Sequence, residues 1–232
     1  NRANPAESLI LGTDKHADGA LYVWGLDGKI RADKVVRGLV RPNNVDVAYG
    51  LALGGTPTDV AVVTERYAHR LRVYRLPDMA PLDGGGLPVF EGEPARDCMG
   101  IALYTRPSDG ALFAIVSRSD YQAPLQGYLH QYRLVDDGTG TVRAVFTRSF
   151  GEWSGRKEIE AVAVLRPPHQ LAIGAASLEP QIGLAIEVGG RVPDRDQVAI
   201  GREGDIADRV TPSLSAVLRD RPLQDALVID AP

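Results

Sequence analysis

The stretch TDVAVVTERYAHRLRVYRL (58–76) sets two strand-like apolar runs around a short charged break. Its valines and its alternation of apolar with polar side chains favour pleated strands, so the segment is predicted to be a hairpin. Glu65, Arg66, His69 and Arg70 crowd the turn. One charged hairpin says little, because loop ends are wet. The arrangement recurs, however. SLILGTDK (8–15) and LFAIVSRS (112–119) are also apolar strands with polar tips, followed by ALYVWGLDG (20–28) and YLHQYRLVDDG (128–138). Lys15 to Arg66 is 51 residues and Arg66 to Arg118 is 52.

Two more elements share this period. NNVDVAYG (43–50), CMGIALYT (98–105) and KEIEAVAV (157–164) precede the place of the charged-tip strand, and TVRAVFTRSF (141–150) is the clearest closing strand. LDG and DDG supply turn chemistry. Four short strands per unit of ~50 residues, with no credible helix between them, is the pattern of β-propeller blades. A β-sandwich would offer similar strands but no reason for the period. The spacing predicts an all-β chain with three four-stranded blades over residues 8–164, the first lacking its innermost strand. Trp24, Tyr74 and Tyr132 fall at matching third-strand positions and read as blade core. The tips occupy one position in successive blades, so they should converge on one face. Taken singly, Lys15, Arg66 and Arg118 are solvated loop ends; taken together they make a cationic rosette suited to a polyanion.

Composition narrows the function further. The 232 residues are 44% hydrophobic and 24% charged, with a net charge of −4, which argues against a surface spread over nucleic acid or anionic membrane. No apolar run approaches the ~18 residues that span a bilayer. Cys98 is the single cysteine, so there is neither an intrachain disulfide nor a Cys-based zinc site, and it reads as a small buried apolar residue. His69 and His130 lack metal-ligand spacing and read as surface or packing residues.

Four segments, LYVWGLDGK, RPNNVDVAYG, GYLHQYRLVDDGTG and KEIEAVAV, together resemble the β-propeller phytases, from about residue 8 to residue 164. The resemblance implies a six-bladed propeller that binds several calcium ions on one face and hydrolyses phytate (myo-inositol hexakisphosphate) as a 3-phytase-type phosphatase, secreted or periplasmic. Calcium and basic side chains would hold the phosphates while a calcium-bridged water attacks phosphorus, so no Ser, Cys or His nucleophile is required. Carried onto this sequence, Lys15 and Arg66 match phosphate-binding positions and His16 stands where a second lysine is expected. Val45 matches a backbone-carbonyl calcium ligand, with Asp46 beside it as a further metal candidate. Glu160 matches a calcium-ligand or water-activating glutamate. Arg118, Ser119 and Asp120 fall where the family places a Lys-Glu pair, the first two as substrate contacts and Asp120 as a metal ligand. Met99 replaces a phosphate-contacting tyrosine. Plainer readings stand beside these: Asn43 and Asn44 as shapers of the strand start, Glu158 and Glu160 as a solvated strand edge, and Asp46 as an interblade acceptor.

The resemblance stops at Val164. Every Trp, Tyr and Phe lies at or before Trp153, and residues 167–232 contain no Lys, Asn, Met or Cys. This divides the chain into a partial propeller domain, 1–164, and an unmatched segment, 165–232. Loss of the blade pattern together with a codon-linked set of residues favours a frameshifted or chimeric tail over a small domain or a divergent blade. No aromatic-cored blade is expected there, and open blade faces would invite self-association. A chain without the family's amino-terminal aspartates and later blades should bind calcium weakly and turn over slowly. Two other readings compete with the hydrolase: an inactive propeller fragment used for binding or assembly, and a lactonase or NHL-like propeller.

Overall fold

A computed structural model describes residues 1, 3–119, 123–151, 159–165, 183–187 and 198–202. Among these, strands form four antiparallel sheets, with two short 3-10 turns, one before the first strand and one within the first sheet, and no α-helix. The first sheet holds β1 (Leu9–Thr13), β2 (Gly19–Gly25) and β3 (Val36–Leu39) in chain order. The second runs β4 (Pro42–Leu53), β5 (Thr56–Glu65), β6 (Arg70–Arg75) and β7 (Leu87–Pro88). The third runs β8 (Cys98–Thr105), β9 (Leu112–Arg118), β10 (Leu129–Asp136) and β11 (Val142–Phe150). These are three propeller-like blades, the first without an innermost strand, as the repeat predicts. KEIEAVAV, the third copy of the element that precedes a charged-tip strand, leads into a fourth sheet: β12 (Ala161–Leu165) pairs with β13 (Gly183–Glu187), and β13 with β14 (Val198–Arg202). The segment after Val164 thus adds two strands to a three-stranded sheet.

The blades stack face to face, and β5 shows how the sequence arranges this. Val60 and Val62 pack toward the third blade with Leu112, Ala114 and Val116, whereas Val63 packs toward the first with Leu21 and Val23. A strand covered on both faces needs apolar residues at consecutive positions, which is why residues 60–63 read as an unbroken run. Each fully buried Val or Leu contributes roughly 1.5–3 kcal/mol. Tyr74 and Tyr132 face the preceding blade from equivalent strands and are buried. Trp24 lies opposite Ile10 on the outward face of the first blade, so it stays half-buried and Ile10 is exposed.

One repeated hydrogen bond sets the register between blades. The innermost strands β4 and β8 each carry an extra residue relative to their neighbours, between Pro42 and Val45 and between Cys98 and Ile101. Such a bulge re-aims the local backbone. Thr13 Oγ1 donates to Asn43 O at 2.6 Å, Thr64 Oγ1 to Met99 O at 2.8 Å, and Ser117 Oγ to Ile159 O at 2.6 Å. A hydroxyl near the end of the second strand therefore grips the backbone at the start of the next sheet: within the innermost strand for Asn43 and Met99, and just before β12 for Ile159. Thr13, Thr64 and Ser117 are equivalent positions.

Candidate functional site

With the hydroxyls aligned, the residues two positions further on are Lys15, Arg66 and Ser119. The backbone agrees. Arg66 N donates to Arg41 O at 3.0 Å, and Ser119 N donates to Asp97 O at 2.7 Å, each to the residue just before an innermost strand. The tips do lie together on one face, joined in sequence: the Arg41 guanidinium donates to Lys15 O, and Arg66 NH2 donates to Ser119 Oγ at 2.9 Å.

Arg118 is not part of that face, and its assignment as a substrate contact is corrected. It is equivalent to Asp14 and Glu65. Its side chain is 0% exposed, 3.4 Å from Glu93 Oε2, and donates to Ala95 O at 2.8 Å. Strand side chains alternate between faces, so a register error of one residue exchanges a surface cation for a buried one. Glu65 is buried the same way, accepting from Val40 N and held by Arg70. The third tip presents the neutral Ser119.

The two remaining tip cations are differently held. Lys15 Nζ lies 3.4 Å from Glu160 Oε2, with both side chains about 40% exposed, so β1 is tied to the start of the fourth sheet. Glu160 O accepts from Asn44 Nδ2 at 3.1 Å, which fixes that backbone against β4. Arg66 is much more enclosed, with 14% of its side chain exposed. Its Nε lies 3.2 Å from Asp97 Oδ2, and its guanidinium sits 5.8 Å from the ring centroid of exposed Tyr67. Asp97 and Arg41 escaped the sequence reading, although a signal existed: both immediately precede an innermost strand.

The other candidates are placed as follows. His16 is exposed in its own turn, its Nδ1 lying 3.3 Å from both Asp18 N and Asp18 O, and it does not join the cluster. Val45 follows the bulge of β4 and pairs with Val63. Asp46 accepts from Val47 N at 2.8 Å and, across blades, from Leu103 N at 2.7 Å. Burial pushes its carboxyl above the usual range, against the pull of these two N–H groups. Both its oxygens accept backbone N–H groups, Oδ1 from its own strand and Oδ2 across the blades, so it is a poor calcium ligand. Met99 is buried and Cys98 lies beneath the tips, its thiol pushed up to about 12 by burial, which removes it as a nucleophile. Asp120 and Glu158 lie outside the described residues.

Calcium takes 6–8 oxygens, most of them from carboxylates and carbonyls. At this face the described residues offer the Glu160 carboxylate, the Asp97 carboxylate, which already faces Arg66 and His69, and Asn43 Oδ1, which is buried with no hydrogen-bond partner. Among the described residues, no group of three His, Cys, Asp or Glu comes together. They do not by themselves complete a calcium cage.

The sheets and their shared face define a β-propeller in which basic tips gather beside a carboxylate. A family model described as Phytase matches residues 1–162, and the chain belongs to the phytase family, in its β-propeller form. That membership makes phytate hydrolysis, a phosphatase-type reaction, the general function, and calcium is the cation the family generally binds. No curated protein matches the chain. Among the described residues no helix is long and apolar enough to cross a membrane.

Proposed function

We propose that the chain binds phytate on the face formed by Lys15 and Arg66 and hydrolyses one of its phosphomonoesters, as a secreted or periplasmic 3-phytase-type enzyme. The observation that supports this most directly is the meeting of Lys15, Arg66 and Glu160 on one face within the phytase match. Phytate carries six phosphates, so its site must balance dense negative charge. The Lys15–Glu160 pair is half exposed, and such pairs contribute only ~0–1 kcal/mol, so an arriving phosphate can take Lys15 over. Arg66, already oriented, offers a planar donor set to phosphate oxygens. Glu160, released from Lys15, is a hard oxygen donor at the same place. Calcium, when bound, would neutralise phosphate charge and lower the pKa of a bound water; Glu160 is the described side chain suited to hold it, with Asp120 and Val45 O as the proposed companions.

The test is phosphate release from phytate at mildly alkaline pH with calcium, for the wild type and Arg66→Ala. Turnover well below a typical ~10 per second, abolished in the variant, is expected. Activity unaffected by Arg66→Ala would overturn the assignment. A second reading, phytate binding without turnover, is favoured by Ser119 in place of a third cation and by a single described carboxylate beside Lys15; it predicts calorimetric binding with no phosphate release. The exposed Ile10 face of the first blade is proposed as a surface for self-association, measurable as a mass above 24.9 kDa by light scattering.

A further inference from the structure

Arg66 lies beside a carboxylate, an odd neighbour for a site that must attract a polyanion. Asp97 Oδ2 is 3.2 Å from Arg66 Nε, and Asp97 Oδ1 is 3.5 Å from His69 Nδ1. By charge alone, Asp97 should repel phosphate and weaken Arg66. The geometry describes something else. Asp97 holds Nε while Ser119 Oγ holds NH2 at 2.9 Å, so the guanidinium is gripped on two of its nitrogens from the third blade. The grip is itself anchored, because Asp97 O accepts Ser119 N at 2.7 Å, which locks the two gripping residues to each other. The Tyr67 ring, 5.8 Å from the guanidinium carbon, supports the same orientation. Arginine has many rotamers, and fixing it before the ligand arrives removes the entropic cost of ordering it from binding.

We propose that Asp97, with Ser119, is a positioning residue: it aims Arg66 at the phosphate-binding face, and this alignment outweighs its own repulsion of the substrate. The proposal rests on the reading of Arg66 as a phosphate contact. It also gives Ser119 a role that its loss of cationic character does not suggest. Asp97 sits one residue before β8, the place that Arg41 occupies before β4, so the repeat supplies the same shelf twice and only the third blade puts a carboxylate on it.

Charge and positioning predict opposite signs, which makes the test sharp. Phytate binding to the full chain is measured by titration calorimetry for the wild type, Asp97→Ala, Asp97→Asn, Ser119→Ala, Arg66→Ala and the double variant Asp97→Ala/Arg66→Ala. Positioning predicts that Asp97→Ala weakens binding by roughly 5- to 10-fold and Ser119→Ala by about 3-fold, within the range of measured couplings between contacting residues. Asp97→Asn, whose amide oxygen can still accept from Nε, lies closer to the wild type. In the Arg66→Ala background the sign reverses: removing Asp97 leaves only the relief of repulsion, so binding is unchanged or tighter. In turnover, KM rises with Asp97→Ala while kcat holds. A single variant Asp97→Ala that binds as tightly as the wild type, while Arg66→Ala binds weakly, overturns the positioning role alone. Should Arg66→Ala bind like the wild type, the reading of the site itself fails and the inference falls with it. If Asp97→Ala does not fold, Ser119→Ala decides the matter by the same comparison: unchanged affinity overturns the proposal.

Discussion

The second and third blades end their second strands in similar pairs, Glu65-Arg66 and Arg118-Ser119, and use them with opposite charge. In the second blade the inward residue is an anion, held by Arg70 with Arg72 3.9 Å away, and the outward one is a cation. In the third the inward residue is the cation, held by Glu93, and the outward one is neutral. Both inward side chains are 0% exposed. The difference teaches that a buried charge is tolerated here in either sign provided that a partner lies opposite it, whereas the functional face reads only the outward residue.

The largest expected effect tests the inward half. Arg118→Ala strands Glu93, which also accepts from Leu125 N at 2.8 Å and Gln126 N at 2.9 Å. Removing one member of a buried pair costs about 3–5 kcal/mol. Chemical denaturation should show a loss of that size, with phytate affinity per folded molecule unchanged; a loss below ~1 kcal/mol would mean that Arg118 is not the buried partner described. Next comes the outward half. Arg66→Ala should weaken phytate binding by roughly 10- to 100-fold, the worth of a charged hydrogen bond, with a melting temperature close to that of the wild type. A large fall in that temperature would move Arg66 from the site to the scaffold.

A smaller effect should come from making the blades alike. Ser119→Lys restores a cation at the outward position but gives up the hydroxyl that holds Arg66. Against Ser119→Ala, which gives up the same hydroxyl, its phytate binding should be about 3-fold tighter at low salt, less at high salt. Arg118→Lys, which exchanges one inward cation for another, should give no gain. An equal gain from both would erase the distinction between the two positions.

The smallest effect concerns His130, buried against Glu93, Arg118, Tyr132, Phe90 and Phe146. Burial lowers its pKa from the ordinary 6.5, outweighing the pull of Glu93. A group whose folded pKa is depressed binds more protons when unfolded, so its stabilisation is full above the unfolded value and is lost as pH falls through the folded one. The wild type should therefore lose stability more steeply than His130→Gln below pH ~6.5. Parallel stability profiles would place His130 outside the titrating set.

Much of this was legible beforehand. The recurrence at Lys15 and Arg66 placed two tips on one face, whereas residues 60–63, read as part of an alternating strand, proved to be an apolar run covered on both faces. Asp46 was harder. Its partner, Leu103, comes from the next blade, and no local pattern shows whether a strand carboxylate meets a cation or two N–H groups. Asp97 was overlooked because its meaning lies in Arg66, 31 residues earlier in the chain.

By itself, the sequence determined the period, the strand pattern and the family, because alternation and repeat spacing are local properties that any copy of a blade must satisfy. Tertiary structure alone decided which residue of each charged pair meets solvent. The two residues of a strand's tip differ in exposure only once the neighbouring blades have closed over one of them and left the other at the face. The hydroxyls of Thr13, Thr64 and Ser117, each bonded to the backbone where the next sheet begins, set that choice and turn Arg118 inward while leaving Ser119 on the face.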